Sequence, residues 1–465
     1  MNQKEYKYRF VAGDIVGNIF PTMQEGQMLP TLAELCAKYE TSEITVNKAL
    51  KILAEKGFIK RIQSKGTVLV RQPDGAWDRG TPQKITLSVL GMPSWNFMDA
   101  VENCLSRFAA INRNVSYQIT YAASEEYPAM LKANTYDLVL VNTWTLREIL
   151  TTPSLEKKII PLNKISGLCF DENAYHPDLL RWCGNNDRLM CLPVTFSPAF
   201  MICNMDFPGM PAAFFDRQSD WKSFIDVMRK ISSHNKRPSF FMPISHNYWP
   251  ILLNINNLSL FSENGKKCLL DTPEVIEMVK QLKQLLTEER LILQPIQTDL
   301  RSHDDAAGDM FTAGHLACIW ASCMRLSQKF NFKSLCVPVP RASARATHLF
   351  LEGVMVGRHH ETTKDFLNFL QTGGSLEFFN NCAGISCQKY FSRILLDSKS
   401  RHYIGTEAVL DSLEFAKPVI PVPRSKVVYF IEKELQMVWS GMLPVEEACR
   451  ETARKANQML ANEEF

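Results

Sequence analysis

Between Gln72 and Pro82 the chain reads Gln-Pro-Asp-Gly-Ala-Trp-Asp-Arg-Gly-Thr-Pro, rich in proline, glycine and charge and without any hydrophobic period. Such a stretch offers neither helix nor strand a continuous apolar face, and it reads as a linker. The patterns on its two sides differ in kind. A small helical unit is expected over residues 1–71, the linker over 72–83, and a much larger α/β body over 84–465. A chain of 465 residues has room for about three folding units. With 46% hydrophobic and 22% charged residues it can bury sizeable cores, which excludes a disordered chain.

In the first unit, Val11, Ile15 and Ile19 recur at a spacing of four and predict one apolar helical face, ended by Pro21. Thr31 with Glu34 three residues on forms a capping-box pattern for a second helix, whose Leu32, Leu35 and Cys36 would face inward. Thr41-Ser42 would cap a third helix with Val46, Ala49, Leu50 and Leu53 inside and Gly57 at its C-cap. Apolar runs at 58–62 and 67–70 flank Gln63-Ser64-Lys65-Gly66, a hairpin with a polar tip. Three short helices and a basic-tipped hairpin make the winged helix-turn-helix plan, with the third helix in the major groove of DNA and the wing on the backbone. The charge balance agrees. Residues 1–72 hold 11 Lys+Arg against 7 Asp+Glu, whereas the remaining 41 and 42 nearly cancel within a net charge of +3.

These residues resemble the DNA-binding domain of the GntR family of bacterial regulators. The likeness rests on Leu29-Pro30-Thr31, Thr45-Val46, Ala49-Leu50 with Leu53, Gly57, and the Gly66-Thr67 wing. The resemblance implies a dimer on near-palindromic double-stranded operator DNA. The family commonly carries arginines where this chain has Ala33, Glu43 and Asn47. A departure from the family's guanine readout follows, and Asn47 pairing with an adenine is one alternative. The expected DNA contacts are Thr31, Thr41, Ser42, Thr45, Asn47, Lys48, Lys51, Lys65 and Gly66.

Beyond the linker, strand-length apolar runs at 85–90, 115–120 and 137–142 alternate with helical patterns at 97–112 and 125–133. Alternation of this kind predicts a parallel sheet covered by helices on both faces, with ligands at the loops that leave the strand C-termini. Further on come Leu192-Pro193, Ile202-Cys203-Asn204-Met205-Asp206-Phe207, Trp221-Lys222-Ser223-Phe224, Asp271-Thr272-Pro273-Glu274, Phe311-Thr312-Ala313-Gly314-His315 and Pro338-Val339-Pro340, then a closing helix pair around Ser440-Gly441. In this order, over roughly residues 84–465, they resemble the sugar-binding class of extracellular solute-binding proteins of ABC importers. The resemblance implies a two-lobed, type II periplasmic-binding-protein-like fold closing on a ligand. The lobes are expected at about 84–193 with 304–350, and 194–303 with 351–465.

Sugars present apolar C–H faces and rings of hydroxyls, so their sites combine aromatic platforms with amides, hydroxyls and carboxylates. Trp95, Asn96, Asn142, Trp144, His246, Tyr248, Trp249, Ser322 and Glu352 fall at expected loop ends and are the ligand-site candidates. Two or more of Trp95, Trp144 and Trp249 are expected in the cleft, whereas Trp439 lies on a periodic helical face and is expected to pack. His359-His360-Glu361 reads as a solvated loop and His303-Asp304-Asp305 as the start of a helix, so no metal or cofactor is expected.

The 13 cysteines form no CxxC pair and suit a reducing compartment. The first residues lack the apolar core of a secretory signal, and no run is long enough to span a membrane, so a cytoplasmic sensor without membrane association is expected. Three other readings compete. An aminotransferase-like body needs a lysine and phosphate cup for pyridoxal phosphate, and no such constellation, P-loop, GxGxxG or GxSxG motif stands out, so no enzyme is expected. A transport receptor calls for export, and a LacI-type sensor is over 100 residues shorter than this body.

Overall fold

The structure is a computed structural model. It describes residues 8–462 apart from 9–10, 13, 40, 56, 63–65, 73–84, 94–95, 113, 186, 212–219, 294–299, 373–383, 400–401 and 419–424. The chain divides into two compact units, Met1–Lys84 and Ile85–Phe465. Most of the expected linker, the wing tip with Lys65, Trp95, and the side chains of His303, Asp304 and Asp305 lie outside the described residues.

In the first unit Val11, Ile15 and Ile19 are buried together, and the first helix ends in a wide turn at Ile15–Ile19 and a tight one at Phe20–Thr22. The second helix, Leu32–Lys38, has the full capping box: the Thr31 hydroxyl accepts from the Glu34 N–H at 3.3 Å, and the Glu34 carboxylate accepts from the Thr31 N–H at 2.7 Å. The third, Glu43–Glu55, buries Val46, Ala49, Leu50 and Leu53. Gly57 follows it at φ +75°, a left-handed conformation that favours glycine. The wing pairs β1 (Ile59–Ile62) with β2 (Gly66–Leu69) in antiparallel register.

The second unit opens with β3 (Ile85–Gly91), the Asn96–Ile111 helix, β4 (Val115–Tyr121), the Tyr127–Ala133 helix, β5 (Leu138–Val141) and the Thr143–Thr151 helix. A small hairpin of β6 (Gly184–Asn185) and β7 (Arg188–Leu189) precedes β8 (Cys191–Pro198), which is buried along its whole length. After the single residue Ala199, β9 (Phe200–Asn204) lies in a different sheet, together with β10 (Phe240–Phe241), β11 (Cys318–Ala321) and β12 (Ser334–Pro338). The chain returns through β13 (Thr347–Val356) and β14 (Ile385–Ser386), visits the second sheet as β15 (Tyr403–Ile404), and comes back as β16 (Ala416–Lys417). Helices Ser425–Trp439 and Val445–Asn462 pack on each other in the core of the second lobe.

The first sheet has the order β14-β8-β13-β5-β3-β4, and the second β10-β11-β9-β12-β15. Strands β3, β4 and β5 are parallel as expected, but β13 runs antiparallel between β5 and β8, so the sheet is mixed. The lobe division expected from the sequence is corrected by this pairing. β11 and β12, expected with the first lobe, belong to the second; most of β13 and the Glu361–Leu370 helix, expected with the second, belong to the first. Phe366 of that helix packs on Phe108 with centroids 5.4 Å apart. Pairing, not period, decides sheet membership, and two of the chain's crossings, at Ala199 and between β12 and β13, lie side by side. The two crossings are joined: the Ala199 N–H donates to the His348 carbonyl at 2.8 Å, and the Thr347 hydroxyl donates to the Ala199 carbonyl at 2.6 Å. Beyond them β13 bulges at Glu352/Gly353, where a Cβ on Gly353 would meet Cys191 Sγ and the Leu192 carbonyl oxygen at 2.5 Å.

Candidate functional site

On the first unit, the exposed side of the third helix carries Ser42, Glu43, Ile44, Lys48 and Lys51, with Thr41 and Asn47 half-buried. Thr45 is turned inward and shares its hydroxyl with Ser42 at 3.1 Å, so it does not face outward as expected. Packing explains this: Thr45 precedes Val46, and both fill the space against the helices behind. The Thr31 hydroxyl is engaged in its cap. Lys48 Nζ lies 5.5 Å above the Tyr8 ring, and Lys51 Nζ lies 3.8 Å from Glu55. Gly66 opens β2 at φ +116°, where a Cβ would collide with Met28. Two residues on this face were not expected from the sequence. Arg61 of β1 donates from Nη2 to Asn47 Oδ1 at 2.6 Å, and Ile44 is 69% exposed. An isoleucine beside the first turn of a helix, left in water, is the signal that patterning alone would discount.

In the second unit, the loops after β3, β5, β10 and β11 converge between the two sheets. Asn96 starts the helix after β3 and approaches Met324 of the other lobe at 3.5 Å, in the turn opened by Ser322. Asn142 caps the helix after β5 by accepting from the Thr145 N–H at 3.0 Å. Trp144, on the first turn of that helix, donates its indole N–H to Asn247 Oδ1 of the second lobe at 2.8 Å. Its ring meets the edge of His246 at 4.8 Å. His246 in turn pairs through Nδ1 with Glu432 and packs edge-on against Tyr429, both from the Ser425–Trp439 helix.

The crossing strand β13 forms the floor beneath. His348 stacks on Phe350 at 4.4 Å, Tyr248 leans on Phe350 at 5.6 Å, and Trp144 lies 6.4 Å from His348. Among the described residues, neither ring nitrogen of the buried His348 has a hydrogen-bond partner, nor does Oε1 of Glu432. Burial, aided by the neighbouring His246, pushes the His348 imidazole down to about 3, so it is neutral at physiological pH. A neutral imidazole offers one donor and one acceptor, and Glu432 adds an acceptor. Buried polar groups are normally satisfied, and three unsatisfied atoms within one aromatic cluster are suited to the hydroxyls of a small molecule or an ordered water.

The structure therefore brings Asn96, Trp144, His246 and the Ser322 turn together across the lobes. Trp249, expected in the cleft, is instead buried in the second lobe's core, edge-on to Trp439 at 6.2 Å. It stands at the start of the Pro250–Ile255 helix, all of which is buried, so its ring is drawn inward. Tyr248 and Glu352 are also buried, the latter accepting from Thr195 Oγ1 at 2.5 Å. His348, Tyr429 and Glu432 were missed because they sit inside a strand and a helix rather than in loops. His360 caps the Glu361–Leu370 helix.

A helical unit with a two-stranded wing, joined to a body of two α/β lobes with crossing strands, defines a DNA-binding module attached to a binding-protein fold. The comparisons assign both parts. Residues 8–69 match the description "Bacterial regulatory proteins, gntR family". The HTH-type transcriptional regulator TreR of Bacillus subtilis is 38% identical over 65 residues, 14% of this chain and 26% of the relative. A probable fructoselysine utilization operon transcriptional repressor of Escherichia coli is 45% identical over 49 residues, 10% of this chain and 20% of the relative. The chain thus spans about a fifth to a quarter of the length of these curated relatives.

Among solved structures, an ABC substrate-binding protein from Listeria monocytogenes in complex with cycloalternan superposes with a TM-score of 0.64 at 18% identity, over 82% of this chain and 99% of that one. Maltose-bound MalE3 of T. maritima gives 0.62 at 14% identity, over 80% and 99%. The first unit thus matches the GntR-type helix-turn-helix model, and the body has the fold of the solved sugar-binding proteins. Among the described residues, no helix is long and apolar enough to cross a membrane.

Proposed function

We propose that this protein is a ligand-responsive transcriptional regulator that takes a carbohydrate between the two lobes of its body and thereby alters its affinity for operator DNA as a homodimer. The observation that carries the reading is the cross-lobe cluster of Trp144, His246 and Asn247 above the unsatisfied polar atoms of His348 and Glu432. An indole and imidazole offer faces for sugar C–H groups, and the floor offers partners for hydroxyls. Solved structures of the same fold were obtained with cycloalternan and with maltose bound, which supports the substrate class. Coupling needs no further element. Lobe closure is a two-state motion, and a ligand that favours one state shifts the population. A coupling of about 1–3 kcal/mol changes DNA affinity roughly 5- to 150-fold.

Both likenesses are to proteins that bind rather than catalyse. A thermal-shift screen against mono- and oligosaccharides tests the reading. Ligand at 100 times its Kd adds about 2.7 kcal/mol of stability. Trp144→Ala should abolish the shift at the same ligand concentration. A flat response of the parent protein to every carbohydrate rejects the substrate class.

A further inference from the structure

We infer that Arg61, reaching from the wing strand and held by Asn47, is the residue that reads a guanine in each operator half-site. The inference rests on the DNA-binding reading above and goes beyond it in naming the reader, its strand of origin and the base.

The third helix itself is poorly equipped for guanine. From Glu43 to Asn47 it carries no cation, and the two lysines that follow are drawn aside, Lys48 over Tyr8 and Lys51 toward Glu55. Lys38 of the preceding helix lies 3.7 Å from Asp14. Arg61 is placed differently. Along β1, Ile59 is buried while Lys60, Arg61 and Ile62 are exposed. Alternation puts Arg61 on the same face as Ile59, the face that packs toward the helices, and Lys60 on the opposite one. Arg61 therefore leaves the sheet beside the third helix, where its Nη2 meets Asn47 Oδ1 at 2.6 Å.

The chemistry of the pair follows from its donor count. Guanidinium has five N–H donors in a rigid fork, and Asn47 engages one of them. The remaining donors match guanine O6 and N7, the most frequent specific contact in the major groove. Asn47 Oδ1 gives one of its two lone pairs to Arg61, which fixes the amide beside the guanidinium. Asn47 is thus a positioning residue, and the guanidinium that the helix lacks at residue 47 is supplied from residue 61.

The test is selection of bound duplexes from a randomised double-stranded DNA library by the full chain, followed by sequencing, for the parent protein and for Arg61→Ala, Arg61→Lys, Asn47→Ala and Asn47→Asp. The parent motif should hold a guanine whose preference over other bases falls roughly 5- to 150-fold in Arg61→Ala. Arg61→Lys keeps charge and fold but loses the fork, and should lose most of the same preference. Asn47→Ala should lose part of it. Asn47→Asp, which keeps an acceptor for Arg61, should retain it even as overall affinity drops beside the phosphates.

An unchanged guanine preference in Arg61→Lys and Arg61→Ala, with affinity reduced evenly and the salt slope shallower by about one, makes Arg61 a phosphate contact and overturns the inference while DNA binding stands. A parent motif without a guanine also overturns it. Failure of the parent protein to enrich any sequence overturns the DNA-binding reading itself.

Discussion

The outer face of the third helix and the floor between the lobes are the two surfaces proposed for recognition, and they are built from opposite materials. The first is wet: its charges stand in solvent, each close to a local partner such as Glu55, Tyr8 or Asn47. The second is buried: His348 lies against Trp144 and Phe350, and Glu432 pairs with His246. Groups in water are weakly coupled and sensitive to ions, whereas groups removed from water are strongly coupled and sensitive to protons. The first unit is thus expected to carry an ionic-strength response and the body a pH response.

That contrast is open to attack at several points. The largest expected effect is on the dry side. His348 has its folded-state value pushed down to about 3, below the ordinary histidine range near 6.5. Between those values the unfolded chain takes up a proton that the buried ring refuses. Stability is therefore full above pH 6.5 and falls as pH drops toward 3, with a slope of about 1.4 kcal/mol per pH unit for this one group. Residues 1–84 contain no histidine, so the effect belongs to the body. Denaturant melts from pH 7.5 to 4.5 should show it, and His348→Gln should flatten the curve. A residual slope is expected from His176, which burial lowers to about 4. An unchanged slope in His348→Gln would mean that the ring is not buried neutral.

Next in size is the wet side. With about three phosphates neutralised per half-site, raising salt from 50 to 200 mM should weaken DNA binding roughly 40-fold for each half, while carbohydrate binding changes less than about twofold. Fluorescence anisotropy on labelled duplex, with calorimetry on the sugar, measures both. A DNA affinity indifferent to salt removes the DNA-reading role from the first unit.

The smallest effect concerns the scaffold of the wet face. Thr31→Ala removes half of the capping box and should cost about 1 kcal/mol of the first unit's stability. Hydrogen exchange of the Leu32–Lys38 amides should accelerate accordingly, with the body's amides unchanged.

Much of the first unit was legible because its signals are local. Thr31 and Glu34 announce a helix start, Gly57 an end, and Val46, Ala49, Leu50 and Leu53 an inner face, and all of these take up the expected roles. The apolar runs of the body were equally readable as strands. Their sheet membership was not, because the lobe exchange depends on β13 pairing with strands some 150 to 215 positions earlier in the chain. The cleft was read in part. Trp144 and His246 stand at strand ends and do meet, while Trp249 stands at an equally promising place and turns into the core. Nothing in composition separates those two tryptophans. His348 and Glu432 gave no warning at all, since a histidine in a strand and a glutamate in a helix look like solvated positions until distant segments cover them.

Ala199 has a consequence of its own. Its N–H and carbonyl are both tied to the returning strand at His348 and Thr347, so two of the connections between the lobes are fastened side by side. A joint braced in this way resists sliding and permits bending. Under the proposed function, a ligand in the cleft would be passed to the rest of the body as an angle, with His348 at the vertex, its carbonyl bonded to Ala199 and its ring in the floor.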